Sequence, residues 1–474
     1  MKMFAVIFFF FLAVIPCSAV LKVACIGASI TYGHGIDNRE QNSFPAQLQV
    51  LLGKEYMVSN YGVSGTTLLR KGDRPYWNTT QYQAALNSLP DIVIIDLGGN
   101  DSKMINRVRL GEYEADYVAF IQSFRQLAAH PRIVLLLPIP SWLSDTAQIY
   151  DRVIVKDIIP RIQRVAFNEK VEVVDMHSLF VDKADLVPDR IHPNAVGATI
   201  YAKRLFELVS AKRDTAFDIF PRIPMQIKES SFYGYACADF SFLNRNCKVV
   251  KPKWTASNRP WVWRARFWGH EPQADIALLE RGFHIVYCDV AELFGNRQAI
   301  ATWNSFYALM IKHGLAKKVV LEGMSRGGVY AFNWAAENPT RVAGVYVDNP
   351  VLDLKSWPAG LGRLPAYPKE AALFKADYGL TTDEQVKQFK GSPIDKVDKI
   401  VKGRYPIFIL CADADEAVAV EENTIPFEKK VKEQKGDITV IYKPGAKHHP
   451  HSLPNPTVIV EFVLKAVRTL QKKI

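Results

Sequence analysis

Two serines in this 474-residue sequence stand where a hydroxyl could attack an ester carbonyl. Ser325 is the middle of Gly323-Met324-Ser325-Arg326-Gly327, a G-x-S-x-G pattern. An apolar run at 318–323 leads into it and a helical pattern follows. Glycines at those positions let a strand turn sharply into a helix and leave the serine hydroxyl exposed. Such a hydroxyl is a weak nucleophile until an imidazole takes its proton. Two later blocks carry the residue types this chemistry needs. The run 407–412 delivers Asp413-Ala414-Asp415, and Gly445-Ala446-Lys447-His448-His449-Pro450-His451 follows the last strand-like run.

Ser29 lies in Gly27-Ala28-Ser29-Ile30-Thr31-Tyr32-Gly33, at the end of the strand-like run 21–27. The carboxyl end of a first parallel strand is where open α/β sheets place their ligands. Taken alone, the serine is equally well read as a helix cap. Three further blocks can reach the same rim: Asn60-Tyr61-Gly62, Gly98-Gly99-Asn100-Asp101 and Asp189-Arg190-Ile191-His192-Pro193. Together the four blocks resemble the SGNH (GDSL-type) hydrolases over about residues 20–211. The resemblance implies Ser29 as nucleophile, His192 as general base and Asp189 as the acid that orients it. It also implies an oxyanion hole made by the Ser29 N–H, the Gly62 N–H and the Asn100 side-chain amide. Ala28 stands where the family usually has Asp, and Arg190 where Gly is common. Neither position carries the proton transfer, so activity is expected to survive both departures.

Over roughly 226–474 the order Ser…Asp…His is similar to that of the α/β-hydrolases. That likeness implies Ser325 as nucleophile, Asp415 as acid and His448 as base, with Asp413 and His449 as the alternatives. The Arg326 N–H is expected to form the oxyanion hole with a backbone N–H from 266–269. A metal reading of His448, His449 and His451 is set aside, because adjacent histidines diverge in extended chain and no carboxylate or Cys completes a set nearby. No metal and no other cofactor is expected. Arg264, Arg266 and Arg326 are candidate contacts for an acidic substrate, and Trp268 for a sugar face. The Ser325-Arg326 pair resembles the elbow of glucuronoyl esterases, with Val329 where those enzymes usually carry lysine. Trp263 and Trp334 read as core.

These residues need elements to hold them. Expected strands at 21–27, 56–59, 91–97, 132–138 and 171–175 alternate with helical stretches, clearest at 147–169 and 195–211. That alternation predicts a parallel sheet covered on both faces. The fold class is α/β: a flavodoxin-like, five-stranded SGNH domain over 20–211, a linker at 212–225 holding Pro221 and Pro224, and an α/β-hydrolase domain over 226–474. The second domain opens with strands at 231–242, 248–253 and 260–267, then alternates β and α, with 355–402 as a polar helical cap.

Composition narrows the function. Hydrophobic residues are 49% of the chain and charged residues 23%, which excludes disorder and coiled coil. The net charge of +11 belongs to the second half: Lys+Arg and Asp+Glu balance at 20 each over 20–211 but stand at 38 against 28 over 212–474. With no basic block, this favours an acidic ligand over a nucleic-acid groove. Residues 1–19, with Lys2, an apolar run and a small-residue exit, read as a cleaved secretory signal, ahead of a lipoprotein anchor at Cys17. No later stretch is long and apolar enough to span a bilayer. Cys237 and Cys247 flank an expected hairpin and are candidates to pair. The first half also resembles the carbohydrate O-acetylesterases among SGNH domains. That resemblance implies a periplasmic or secreted serine esterase that deacylates an acetylated polysaccharide or oligosaccharide at two sites, with feruloyl or uronate esters also open to it. The rivals are a prolyl-oligopeptidase-like second domain and a non-catalytic glycan-binding domain.

Overall fold

The structure, a computed structural model, describes residues 20–471. The secretory-signal and Cys17 readings fall outside them. Five parallel strands make the first sheet: β1 (Leu21–Gly27), β2 (Tyr56–Gly62), β3 (Ile92–Asp96), β4 (Arg132–Leu137) and β5 (Glu172–Asp175), in the order β2-β1-β3-β4-β5. β3 is central, and all five of its residues are buried, as a strand covered on both faces requires. The order reverses between β1 and β3, so the chain leaves their carboxyl ends in opposite directions and opens a crevice there. Ser29 follows β1 and Asn100 follows β3.

Beyond a short ladder of β6 (Arg213–Asp214) with β10 (Thr255–Ala256), nine strands form the second sheet. They are β7 (Lys228–Phe232), β8 (Tyr235–Phe242), β9 (Arg245–Val250), β11 (Trp261–Arg264), β12 (His284–Cys288), β13 (Val319–Met324), β14 (Val342–Asp348), β15 (Ile407–Ala412) and β16 (Ile438–Lys443). Their order is β16-β15-β14-β13-β11-β12-β9-β8-β7. β16 through β12 are parallel, and β9, β8 and β7 join antiparallel. This is an α/β-hydrolase-like mixed sheet, with β13 near its middle.

Two local expectations need correction. The run 231–242 is not one strand. It folds into the β7–β8 hairpin, because Tyr233 (φ 48°) and Gly234 (φ 90°) supply two successive left-handed residues. Cys237 and Cys247 do not pair either, since register sets Cys237 opposite Val250 and Cys247 opposite Phe240. Cys247 instead faces Cys288 across β9 and β12, and all five described cysteines are free and buried. Trp263 is fully buried, stacks on Trp303 at 4.2 Å and meets Trp334 edge-on at 5.3 Å.

The two sheets are locked together. The Tyr235 hydroxyl donates to Val173 O at 3.1 Å, and Phe232 and Tyr235 share one apolar cluster with Val165 and Val173. Glu280 accepts from Arg204 at 2.5 Å and from the Asp175 N–H at 2.6 Å, while Arg281 pairs with Glu207 at 2.8 Å. Arg204 and Glu280 are both buried, so neither charge could remain there without the other.

Two candidate active sites

At the first site the β1 strand ends at Gly27 and the chain turns directly into a helical turn headed by Ser29. β2 runs hard against that turn: a Cβ on Gly62 would lie 2.2 Å from Tyr32 N, so only glycine fits. The structure brings Ser29, His192 and Asp189 together. His192 Nε2 lies 2.8 Å from Ser29 Oγ, and His192 Nδ1 lies 2.6 Å from Asp189 Oδ2. Asp189 also accepts the backbone N–H groups of Ile191 and His192 at 3.0 and 2.7 Å. Partial burial alone would push the Asp189 carboxyl up, but the hydrogen bonds and charge from His192 outweigh it and hold the group below the usual carboxylate range. Arg190 adopts φ 71°, the left-handed region that favours glycine, which accounts for glycine being common at this position. Its carbonyl accepts the Trp142 N–H at 3.0 Å, which fixes the turn.

Asn100 and Gly62, the two donors expected beside the Ser29 N–H, differ in their bonding. Asn100 is buried, lines the cavity beside Ser29 and spends one amide hydrogen on Thr66 O at 3.1 Å, leaving a second donor. The Gly62 N–H instead donates to Asn60 Oδ1 at 2.9 Å. Next in sequence, Asp101 accepts the Leu68 and Leu69 N–H groups and so ties the loop after β2 to Asn100. The cavity is narrow, about 40 Å³, and walled by Ile139, Pro140, Ile149 and Ile154. Two neighbours escaped the sequence reading. His34 packs its ring 4.6 Å from His192, and Asp96 lines the cavity as a buried carboxylate. Burial pushes Asp96 up to about 7, although Thr31 donates to it.

At the second site Ser325 sits at φ 50° between β13 and the helix Gly327–Glu337. A left-handed serine costs about 1–2 kcal/mol and persists only where its surroundings fix it. Here Ser325 N–H donates to Asp348 O and Ser325 O accepts from Val351 and Gly328. A Cβ on Gly323 would lie 2.7 Å from Gly327 C, so the turn closes only with glycine at that position. His448 Nε2 lies 3.0 Å from Ser325 Oγ, and His448 Nδ1 lies 2.7 Å from Asp415 Oδ2. Asp415 is buried and accepts the Ala417 and Val418 N–H groups at 2.8 Å. Asp413, the alternative acid, caps Gly445 N–H instead. The N–H groups of Arg326 and Arg266 donate to no protein acceptor among the described residues, and a Cβ on Gly327 would lie 4.0 Å from Arg266 N.

The arginines divide. Arg264 is a correction: it is fully buried, and its guanidinium binds Asp275, Glu322 and the carbonyls of Phe267 and His270, so it cannot reach a substrate. Arg326 is buried without an ion pair. Its Nε has no hydrogen-bond partner among the described residues, and its guanidinium lies 4.5 Å over Phe294 and 5.8 Å from the ring of Trp357, the third residue of the 355–402 segment. Burial, with Arg266 nearby, pulls its pKa down, although the more distant carboxylates of Glu370 and Asp377 oppose this. Arg266 donates to Ala291 O at 3.2 Å and lies over the Phe267 ring at 4.7 Å, and its Nε is also unpartnered. Trp268 packs against Phe232 and Tyr287, at 5.1 and 5.6 Å.

The histidines expected to diverge do not. The rings of His448, His449 and His451 stand 4.8–4.9 Å apart and nearly perpendicular, and His270 faces the latter two at 5.8 and 5.9 Å. His451 Nδ1 lies 3.0 Å from Asp348 Oδ1. No helix among the described residues is long and apolar enough to cross a membrane.

Residues 25–200 match the GDSL-like Lipase/Acylhydrolase family, so this part of the chain is a GDSL-type domain. An acetylxylan esterase from Xylanibacter ruminicola is 40% identical over 214 residues, which span 41% of this chain and 44% of that protein. Among solved structures, a carbohydrate acetylesterase from Sinorhizobium meliloti is 19% identical, covering 40% of this chain and 98% of its own, with a TM-score of 0.34. An acylaminoacyl peptidase from Pyrococcus horikoshii is 12% identical, covering 52% and 42%, with a TM-score of 0.38.

Proposed function

We propose that the chain is a carbohydrate esterase with two serine-hydrolase sites, Ser29–His192–Asp189 in the GDSL-type domain and Ser325–His448–Asp415 in the α/β-hydrolase-like domain. The observation that carries the reading is that each serine has an imidazole nitrogen within 3.0 Å and a carboxylate on the far nitrogen of that imidazole. In each site the imidazole takes the serine proton as the hydroxyl attacks the ester carbonyl. It then returns that proton to the leaving sugar oxygen. Water repeats the sequence to free the acid. At the first site the Ser29 N–H and Asn100 Nδ2 stabilise the oxyanion; at the second the N–H groups of Arg326 and Arg266 do so.

The substrates differ. A narrow cavity of about 40 Å³ beside Ser29 favours a small acyl group such as acetyl. The likeness of part of the chain to an acetylxylan esterase supports an O-acetyl glycan as a substrate of the protein. Arg326 and Arg266, buried or half-buried and without an ion pair among the described residues, favour a uronate-bearing glycan at the second. Two complementary ester cleavages on one decorated polysaccharide fit an exported protein, with domains at 20–211 and 226–474 joined through 212–225.

The test is acetate release from acetylated xylan, pectin and acetyl sugars by the wild type, Ser29→Ala, Ser325→Ala and the double variant. Each serine loss is expected to lower its own site's rate by up to about 10⁶-fold and leave the other unchanged. Undiminished release by the double variant would overturn the reading. Cleavage of a proline-linked amide by Ser29→Ala in preference to any ester would replace it with the peptidase reading for the second site.

A further inference from the structure

We propose that His448, His449 and His451 form an inhibitory site for a zinc-type divalent cation, in which the imidazole that serves Ser325 is withdrawn as a metal ligand. The three residues each offer a ring nitrogen, and those atoms lie within 4.8 Å of one another. Zinc held at 2.0–2.1 Å by imidazoles needs ligand nitrogens about 3.3 Å apart. The gap closes by turning His449, which is exposed and makes no hydrogen bond among the described residues.

The other two imidazoles are already oriented as ligands. His451 Nδ1 donates to Asp348 at 3.0 Å, and Asp348 is itself fixed by the Ser452 N–H at 2.8 Å and Lys443 Nζ at 3.2 Å. His448 Nδ1 faces Asp415 in the same way. A carboxylate on one ring nitrogen leaves the lone pair on the other, and metal-bound histidines almost always carry such a partner. That leaves Nε2 of His451 and Nε2 of His448 as the donor atoms, with exposed His449 giving the ion its entry from solvent. His270, on the facing loop with its ring 5.8–5.9 Å from those of His449 and His451, supplies a fourth ligand when its exposed side chain turns inward.

The lone pair the ion needs on His448 is the one that must take the Ser325 proton. Coordination and catalysis are therefore exclusive: the occupied site is silent and the chelated one recovers. The first site has no such trio of ligands among the described residues, so it keeps working.

Two measurements on the full chain test this. Binding is read with Co²⁺ by its absorption bands and with Zn²⁺ by calorimetry, on wild type and on His449→Gln. One site is expected in the wild type, weakened by about tenfold or more in the variant. Equal binding by both chains would overturn the proposal. Inhibition is read as ester hydrolysis by Ser29→Ala, in which only Ser325 remains. Zinc should suppress that rate and chelation restore it, while Ser29→Ala/His449→Gln keeps the basal rate and needs about tenfold more zinc or worse. Suppression at the same zinc concentration in both would also overturn it. The inhibition arm rests on Ser325 being catalytic as proposed above. The binding arm does not, so an inactive second domain that still binds Co²⁺ through His449 would refute the function and leave the metal site standing.

Discussion

The two sites hold the same three side chains in the same contacts and get there by opposite routes. In the first, base and acid come from one turn: Asp189 precedes His192 by three residues, and its carboxylate caps two backbone N–H groups of that turn. The pair is preformed by local geometry and needs no core, and the Asp189 side chain is accordingly 49% exposed. In the second, Ser325, Asp415 and His448 come from the ends of β13, β15 and β16, and only the packed sheet brings them into register. Its acid is 2% exposed. A carboxylate facing water is screened, whereas one in the interior acts on its imidazole at full strength. The largest effect that separates the sites is thus at the acid. Asp415→Asn, assayed in Ser29→Ala, is expected to lower kcat by about 10⁴-fold. Asp189→Asn, assayed in Ser325→Ala, should cost roughly a hundredfold less, because water and the turn's own N–H groups keep His192 oriented. Equal losses would erase the contrast between local and long-range construction.

A second difference lies in what surrounds each proposed nucleophile. Ser29 opens on a narrow, mostly apolar cavity, whereas Ser325 is followed in the chain by Arg326, whose buried guanidinium makes no ion pair among the described residues. Burying an arginine without its partner is costly unless the substrate brings one. Arg326→Gln keeps the backbone N–H proposed for the oxyanion and removes the charge. Its kcat/KM should fall about 10–100-fold on a uronate-bearing ester and change little on a neutral acetyl ester. A uniform fall on both substrates would make Arg326 a support for Phe294 and Trp357 and no longer a selector of charge.

What could be read in the sequence follows the same division. The blocks around Ser29 and His192 and the G-x-S-x-G turn were legible because their chemistry is written in adjacent residues. Gly323 must be glycine for a reason visible in the motif itself. The parallel first sheet, covered on both faces, followed from the alternation of elements. Side-chain destinations did not. Arg264 and Arg326 look alike in the sequence, yet one alternates into the core to meet Asp275 and Glu322, eleven and fifty-eight residues away, and the other stays unpaired. The Gly62 N–H was lost to Asn60, a neighbour two residues back whose local bond competes with any role in the crevice. The histidine cluster was missed for the same reason as the β7–β8 hairpin. A backbone turn of a few residues decides whether neighbouring side chains diverge or meet, and spacing alone does not encode it.

The smallest expected effect concerns Asp96, which the sequence reading passed over as the end of a strand. It sits wholly buried at the carboxyl end of β3 with Thr31 Oγ1 at 3.3 Å, so burial raises its pKa from 3.8 to about 7. The unfolded chain gives up this proton near pH 4, whereas the folded chain keeps it until about 7. The protonated form is favoured in the fold, so the stability this group contributes is fully present below about pH 4. It is lost progressively as pH rises through 7. Asp96→Asn carries no such proton and should remove that slope. Melting temperatures of variant and wild type, measured from pH 4 to pH 8, should diverge in the variant's favour, by on the order of a few degrees at the upper end. The Ser325 lobe, locked to this one through Arg204 and Glu280, should melt with it in both chains. A difference that stays flat with pH would mean that Asp96 is ionised in the fold, in which case the crevice beside Ser29 holds a negative charge and the contrast with the cationic surroundings of Ser325 becomes sharper still.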